Sequence, residues 1–327
     1  MKLYDDKWIV ITGGAGFIGS GVIRYLNDQG MSNIIVVDDL GQGEKWKNLV
    51  GKRYADIVSR HKLFDWLKGR ESDIEAFIHM GACSDTVTRD ADYLLDNNFR
   101  FSVRLAQYAL QHEHRFIYAS SAATYGNGSQ GFQDDINNLD ALRPLNMYGY
   151  SKHMFDLWLK AQDAFKDVVG LKFFNVFGPN EYHKGRMASA VLWMVPQIRE
   201  TGTVRLFKSN EPRKFGDGDQ VRDFIYVKDV VALICGFLKN DAAGLFNMGS
   251  GRRVSWNQLA RAVFSALKVP PRIEYIDMPK DLTGQYQNDT CADMAKLKSV
   301  GLPAPTRTLE DAVTEYVRDY VLIEGRW

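Results

Sequence analysis

The chain has 327 residues, 45% hydrophobic and 25% charged, with Lys+Arg 41 against Asp+Glu 40 and a formal net charge of +1 at pH 7. That length can bury a sizeable core and suits one large α/β unit or two closely joined lobes, and the composition excludes disordered and fibrous classes. Balanced charge excludes a global field that would recruit nucleic acid or an anionic membrane, so an anionic ligand must be met by local donors.

Cys83, Cys235 and Cys291 are odd in number, widely spaced and in no C-x-x-C or Cys/His ligand pattern, which suits a reducing cytoplasm. Met1 to Lys7 is polar and leads straight into a short apolar run, without a signal-peptide core, and no apolar stretch is long enough to span a bilayer. A cytosolic protein is expected. The spacing of His79, His112, His114 and His153 implies no metal site.

Trp8 to Thr12 is a β-branched run that stops at Gly13, after which Val22, Ile23 and Leu26 recur at helical spacing. This is strand, glycine turn, helix. Gly13, Gly16 and Gly19 give the spacing G-x-x-G-x-x-G, in which missing side chains let backbone N–H groups and a helix N-terminus approach a pyrophosphate. A glycine trio alone is weak evidence. Here a second strand, Ile34 to Val37, ends in Asp38, where a dinucleotide fold places the carboxylate that binds the adenosine ribose.

Lys52 to Ile57 reads as a third strand and Ala76 to Met80 as a fourth, running into the small residues Gly81 and Ala82, where a cofactor backbone could pass. Tyr93 to Leu110 has the apolar spacing of a long helix; Asn97 and Asn98 within it read as solvated amides. The strand Arg115 to Ala119 delivers Ser120 and Ser121 at its C-terminal end, the edge at which open α/β sheets bind ligands. After a polar loop from Gly126 to Pro144 come Tyr148 and Lys152, a phenol and an ammonium four residues apart on one helix face. A free phenol titrates near ~10, so it serves as a base at neutral pH only if its phenolate is stabilised, which a fixed lysine one turn away can do.

Val168 to Val176 reads as a sixth strand, and the alternation to this point predicts a parallel, doubly wound, Rossmann-like α/β sheet. Beyond it come a helix from Met187 to Ile198, a strand from Val204 to Phe207, a charged loop to Gln220 and strand-like alternation from Val221 to Val227. Asp229 then caps a helix through Phe237. Gly244 to Gly249 is a strand, Ser255 caps a helix to Leu267, Arg272 to Ile276 is a strand, and a last helix runs from about Thr308 to Tyr320. The expected division is a dinucleotide-binding domain over 1–178, with 221–248 returning to it, and a smaller interleaved substrate lobe from 179–220 and 249–327.

The glycine turn, Asp38, Ser121, Tyr148 and Lys152 together resemble the extended short-chain dehydrogenase/reductase superfamily. Within it, the runs 79–84, 118–126, 173–179 and above all His183-Lys184-Gly185-Arg186-Met187-Ala188-Ser189, with Arg222-Asp223-Phe224 and Gly284-Gln285-Tyr286-Gln287 in order, resemble the ADP-L-glycero-D-manno-heptose 6-epimerases. The resemblance implies an NADP-dependent isomerase that converts ADP-D-glycero-D-manno-heptose to its L epimer at C6″ for lipopolysaccharide cores. It also implies a homo-oligomer, with a pentamer suggested for its size.

Carried over by motif, the cofactor contacts fall on Gly13, Gly16, Phe17, Ile18, Gly19, Asp38, Asp39, Lys45, Arg60, Gly81, Ala82, Cys83, Ser84, Asn97, Lys152, Val176 and Lys184. The active-site hydroxyl, phenol and lysine fall on Ser121, Tyr148 and Lys152, with Lys184 as a second base, and substrate contacts fall on Ser121, Asn175, Arg186, Phe207, Arg222 and Tyr286. Lys152 is expected to lower the Tyr148 pKa. Two departures stand out: the stretch Ser209 to Val221 is longer than the family pattern, and Trp193 stands where a polar, sugar-facing residue is expected.

On electrostatics alone Asp38 and Asp39 disfavour a 2′-phosphate and favour NAD, whereas Lys45, Lys47, Arg60 and Lys62 follow nearby and the family prefers NADP. NADP is the expectation, with NAD the alternative. The rival readings are a UDP-hexose 4-epimerase on the same fold; a sugar-nucleotide 4,6-dehydratase, against which Ser121-Ala122-Ala123 offers no acid beside the hydroxyl; and a non-catalytic dinucleotide-binding module, which would typically have lost the tyrosine or lysine.

Overall fold

Short runs of Val, Ile and Phe, buried on both faces, build the central layer, as a parallel sheet covered by helices requires. The computed structural model describes residues 6–279 and 286–327. Met1 to Asp5 of the polar start, and Gly284 and Gln285 of the Gly284–Gln287 run, lie outside the described residues.

The strands in chain order are β1 (Trp8–Thr12), β2 (Ile34–Val37), β3 (Asp56–Val58), β4 (Ile74–His79), β5 (Arg115–Ser121), β6 (Val168–Phe173), β7 (Asn175–Phe177), β8 (Val204–Phe207), β9 (Val221–Arg222), β10 (Phe224–Tyr226), β11 (Gly244–Met248), β12 (Val254–Ser255) and β13 (Ile273–Ile276). Between them run α1 (Phe17–Asp28), α2 (Leu63–Trp66), α3 (Ala91–Leu94), α4 (Phe101–Gln111), α5 (Met147–Ala161), α6 (Ala190–Thr201), α7 (Val227–Phe237) and α8 (Trp256–Leu267). Seven strands form one parallel sheet in the order β11-β6-β5-β4-β1-β2-β3. The chain works outward from β1 to β3 and then crosses to β4 on the other side of β1. That reversal opens a crevice beyond the carboxyl ends of β1 and β4, where open α/β sheets take their ligands.

Two apolar cores result. The larger joins the sheet to its flanking helices, including α7, and takes in Ala292, Met294 and Leu297 from late in the chain. The smaller gathers Phe177, Val191, Met194, Leu206, Phe224, Val263 and Tyr316 from β7, α6, β8, β10, α8 and the helix Leu309–Asp319. Among the described residues no helix is long and apolar enough to cross a membrane.

Several boundaries differ from the sequence reading, each for a local reason. The run Val168 to Val176 is two strands: β6 stays in the main sheet, while β7 leaves it to pair with β10, the break falling at Phe174, whose N–H is taken by Met248 O at 3.1 Å. The third strand starts later than predicted, at Asp56, and Lys52 instead donates to Trp327 O at 2.6 Å. The helix read from Tyr93 to Leu110 begins at Ala91 and contains a π turn over Leu95–Arg100. Val221 to Val227 is divided at Asp223 between β9, which pairs antiparallel with β12, and β10. Tyr226 rather than Asp229 stands at the start of α7; Asp229 lies in its first turn, facing Arg307 at 3.6 Å. The helix read from Met187 begins at Ala190, behind a 3-10 turn over Tyr182–Met187. The Ser255 cap forms as predicted, in a capping box with Gln258, and the last helix starts at the predicted place, with Thr308 accepting from Asp311 N.

Asp223 explains its own break. Its fully buried carboxylate accepts from Ser250 N (2.6 Å), Ser250 Oγ (2.8 Å), Gly251 N (2.9 Å) and Ala292 N (3.0 Å). Asp223→Ala would strand three backbone donors inside the protein, so urea unfolding should show a loss of at least ~3 kcal/mol, with Asp223→Asn intermediate.

Candidate active site

The turn after β1 is shaped by contact rather than by flexibility. Gly13 has φ +67°, and a Cβ there would lie 2.7 Å from both Cα and N of Gly81. A Cβ on Gly19 would lie 2.2 Å from Gly13 O. Gly16 stands at the N-terminus of α1, whose first-turn N–H groups receive no side-chain cap. Beneath the turn, Gly81 N donates to Thr12 Oγ1 (3.1 Å), which contacts His79 Nδ1 (2.6 Å), and His79 Nε2 contacts Ser102 Oγ (2.8 Å). Ser102 Oγ donates to Asn98 O at 2.6 Å, so Nε2 must carry the ring proton and Nδ1 accepts from Thr12. Burial pushes the His79 pKa down to about 3, so the relay is neutral.

At the end of β2, Asp38 Oδ2 accepts from Ala15 N (2.9 Å), and Oδ1 from Asp39 N (2.8 Å) and Lys45 Nζ (2.7 Å). A carboxylate offers about four acceptor positions, which leaves one on Oδ2 for a ribose hydroxyl. Asp39 takes Ser59 Oγ (2.8 Å), Arg60 Nε (2.6 Å) and His61 Nε2 (3.2 Å). Burial works to raise its pKa, and those partners outweigh it.

Beyond β4 the loop carrying Gly81, Ala82, Cys83 and Ser84 is held by Asn98, which sits in the π turn and is 1% exposed. Asn98 Oδ1 accepts from Cys83 N (2.9 Å) and from Asn97 Nδ2 (3.0 Å), and its Nδ2 donates to Cys83 O (2.9 Å) and Ser151 Oγ (3.1 Å). The solvated reading of both amides is therefore wrong for Asn98. The π turn, invisible to periodicity, is what rotates it inward.

Ser121 ends β5, and its Oγ accepts from Ala123 N at 3.1 Å. The N-terminus of α5 is pressed against this turn: Asn146 caps Gly149 N at 2.8 Å, and a Cβ on Gly149 would sit 2.8 Å from Ala123 O. Tyr148 thereby reaches Ser121; burial raises its pKa and the Ser121 hydrogen bond opposes the rise. Lys152 does not supply the expected lowering here, because its ammonium donates to Ala119 O at 2.8 Å. Its own pKa is lowered to about 8 by burial, against the pull of Asp156 and then Cys83.

The 3-10 turn brings Lys184 to the same region, its ammonium 5.1 Å from the ring centroid of Phe17 at the glycine turn. Burial lowers the Lys184 pKa, and Glu181 opposes. Glu181 is fully buried, accepting from Ser189 N and Oγ (both 2.6 Å) and Tyr316 OH (2.9 Å). Arg186 is exposed and pairs with Asp85 at 2.8 Å, linking this turn to the Cys83 loop. Asn175 is exposed at the start of β7, with half-buried Val176 beside it. Ile18, beside Phe17, packs against the larger core.

A second cluster lies on the smaller core. Phe207 meets Tyr286 edge-on, with centroids 6.5 Å apart; the Arg222 guanidinium stands 4.7 Å from the Tyr286 ring and 5.6 Å from Trp256. Arg222 is 7% exposed and, among the described residues, has no carboxylate paired with it, so its charge suits an anionic ligand. Trp256 escaped the sequence reading, since nothing marks a tryptophan at a helix start as a ligand wall. Trp193 is exposed in a groove with Pro196, Gln197, Glu200, Arg205 and Glu274.

A glycine cradle that any Cβ would fill, an uncapped helix N-terminus and Asp38 fit a dinucleotide, and the seven-stranded parallel sheet flanked by helices, with Ser121, Tyr148 and Lys152 at its edge, is a Rossmann-like fold. The profile of the NAD dependent epimerase/dehydratase family matches residues 9–249, and the chain belongs to that family. The ADP-L-glycero-D-manno-heptose-6-epimerase of Nitratidesulfovibrio vulgaris is 50% identical over 315 residues, 95% of this chain and 97% of that protein. The protein of the same name from Fusobacterium nucleatum is 44% identical over 331 residues, 98% and 99% of the two chains. The crystal structure of the Helicobacter pylori ADP-L-glycero-D-manno-heptose-6-epimerase is similar with a TM-score of 0.80 at 26% identity, covering 96% of each chain.

Gly19→Ala forces a methyl group onto Gly13 O and so opens the cradle. Fluorescence titration should show dinucleotide affinity weakened at least ~10-fold, with the far-ultraviolet circular dichroism unchanged.

Proposed function

We propose that this chain interconverts ADP-D-glycero-D-manno-heptose and ADP-L-glycero-D-manno-heptose by oxidising and re-reducing C6″ with bound NADP, as a cytosolic homo-oligomer serving lipopolysaccharide core synthesis. The observation that carries the reading is Lys184: a second basic side chain, apart from Tyr148, brought against Phe17 at the dinucleotide turn. The sequence kinship to relatives bearing that name supports the choice of sugar.

The C6″ hydrogen is not acidic, so inversion cannot start by removing it as a proton. A bound nicotinamide supplies reversible hydride acceptance, which lets the carbon pass through a ketone and be reduced on its other face. Gly13, Gly16, Phe17, Ile18 and Gly19 would hold the pyrophosphate, Asp38 the adenosine ribose, and Gly81, Ala82, Cys83, Ser84, Asn97 and Val176 the nicotinamide end. Tyr148 takes the hydroxyl proton of one epimer, with Ser121 bonding the same oxygen and Lys152 stabilising the phenolate by turning from Ala119 O. Lys184 does the same for the other epimer, whose hydroxyl points the other way. The lowering of the Lys184 pKa by burial favours this role.

The larger core serves as the dinucleotide domain and the smaller as the substrate lobe, where Arg222 faces the diphosphate, Phe207 and Tyr286 line the nucleoside, and Asn175 and Arg186 approach the sugar. NADP is preferred because each acid of the β2 edge already has a cation, Lys45 for Asp38 and Arg60 for Asp39. The edge is therefore not the bare pair of negative charges that would repel a 2′-phosphate.

Offering both ADP-heptose epimers and UDP-glucose, with NMR as the readout, should show interconversion of the heptoses alone; turnover of UDP-glucose instead would overturn the substrate. Tyr148→Phe and Lys184→Ala should each lower kcat by roughly 10²- to 10⁴-fold with dinucleotide still bound, and near-normal turnover of Lys184→Ala would remove the second base. Nucleotide released by denaturation should weigh as NADP, and NAD alone would reverse that preference.

A further inference from the structure

Tyr148, Lys152 and Asp156 recur every four residues along α5 and so form one stripe on its buried face. The first two belong to the reaction proposed above. The third has no part in it, yet its carboxylate is fully buried. Asp156 Oδ1 accepts from Tyr118 OH at 2.8 Å, and Oδ2 from Ser120 Oγ at 2.8 Å and Lys172 Nζ at 2.9 Å. Both members of the Lys172–Asp156 pair have fully buried side chains. Lys172 also donates to Thr124 Oγ1 and lies 4.8 Å from the Tyr125 ring centroid.

The partners of this pair bracket Ser121. Ser120 precedes it on β5, Thr124 follows it in the 3-10 turn, and Thr124 Oγ1 donates to Ser121 O at 2.7 Å. Ala119 O, which receives the Lys152 ammonium, lies between Tyr118 and Ser120, both bonded to Asp156. One ion pair therefore spans three elements, α5, β5 and β6, at the point where two of them deliver Ser121, Tyr148 and Lys152. A desolvated ion pair is a poor investment in stability alone, since well-packed apolar residues often do as well.

We propose that Asp156 and Lys172 are positioning residues of the active site, acting through Lys152 and Ser121: their buried ion pair locks the Tyr148–Lys152 face of α5 to the end of β5 and divides the Asp156 carboxylate between Lys172 and Lys152, one turn earlier on the same helix face. This rests on the reading of Ser121, Tyr148 and Lys152 given above. The titratable groups on the elements packed about Lys152 are Tyr148, His153 and Asp156 on α5, His79 and Cys83 at the end of β4, Tyr118 on β5 and Lys172 on β6. Of these, Asp156 is the foremost opponent of the loss of charge that burial imposes on Lys152.

Carbon-13 NMR of side-chain-labelled lysine in the full chain reads Lys152 without any substrate, its resonance assigned by its loss in Lys152→Met. Asp156→Asn removes the anion and should move the Lys152 titration to lower pH; Lys172→Met leaves the anion unshared and should move it to higher pH. Both should lose kcat roughly 10- to 100-fold with KM within about twofold, the signature of misplaced reacting groups, and Lys172→Arg, which keeps the charge, should recover most of it. Thr124→Val keeps both charges and tests the geometry if Asp156→Asn does not fold: kcat should fall while the Lys152 titration stays in place. Shifts in the same direction or no shift in the two charge variants, or wild-type kcat in Thr124→Val, would overturn the proposal. Opposite shifts in a protein that turns over no ADP-heptose would retire the substrate reading and leave the positioning pair standing.

Discussion

The site depends on one close approach, that of the backbone leaving β1 to the backbone leaving β4. Gly13 stands where a side chain would collide with Gly81, and a Cβ on Gly81 would be tight against Gly13 N at 3.1 Å; the two strands are neighbours because the sheet order reverses between them. The neutral His79 relay spans the same two strand ends from below, tying Thr12 and Gly81 to the π turn through Ser102. Because the π turn also holds Cys83 and Ser151 through Asn98, the glycine turn, the Cys83 loop and α5 are set by one connected group of hydrogen bonds. A buried polar network of this kind is rigid because each member is satisfied by the others.

Burial then sets the charges. It is the largest influence on Tyr148, Lys152 and Lys184 alike, raising the phenol and lowering both amines. The same desolvation thus works against a tyrosinate and in favour of a neutral lysine. Each group is given a counterweight: Ser121 for Tyr148, Asp156 for Lys152, Glu181 for Lys184. Both carboxylates are fully buried, so they act on the lysines from inside the protein.

Much of this was legible in the sequence because it rests on short-range rules. The glycine turn, the β-branched strands and the cap at Ser255 are local signals, and the structure keeps them. What periodicity could not show were features decided by partners far along the chain. A continuous apolar run from Val168 to Val176 gives no hint that Phe174 will bond Met248 and send Asn175–Phe177 to a different sheet. Asn97 and Asn98 are indistinguishable as letters; only the extra residue of a π turn decides which one faces inward. Asp223, Glu181 and Asp156 look like surface acids in sequence, yet each is fully buried, because their donors come from segments as distant as Ala292 and Tyr316. Motif likeness pointed to Ser121, Tyr148 and Lys152, whereas the buried groups packed about them became visible only in three dimensions.

The position of Lys184 shows why the two cores interleave instead of following one another. The segment from Gly178 to Ser189 is where the chain passes from the sheet to α6 of the smaller core, and Glu181 fastens it at Ser189 and at Tyr316 of that core. The same segment leans on the dinucleotide turn through Phe17 and on the Cys83 loop through Arg186 and Asp85. A side chain carried here is fixed relative to the smaller core by the buried Glu181 carboxylate and relative to the larger one by buried hydrogen bonds: Asn48 Nδ2 donates to Ala15 O of the glycine turn and to Asn180 O, both at 3.0 Å, and Asn180 Nδ2 donates to Ser20 Oγ of α1 at 3.0 Å. Lys184 is therefore held by buried polar contacts to the glycine turn and to the smaller core alike.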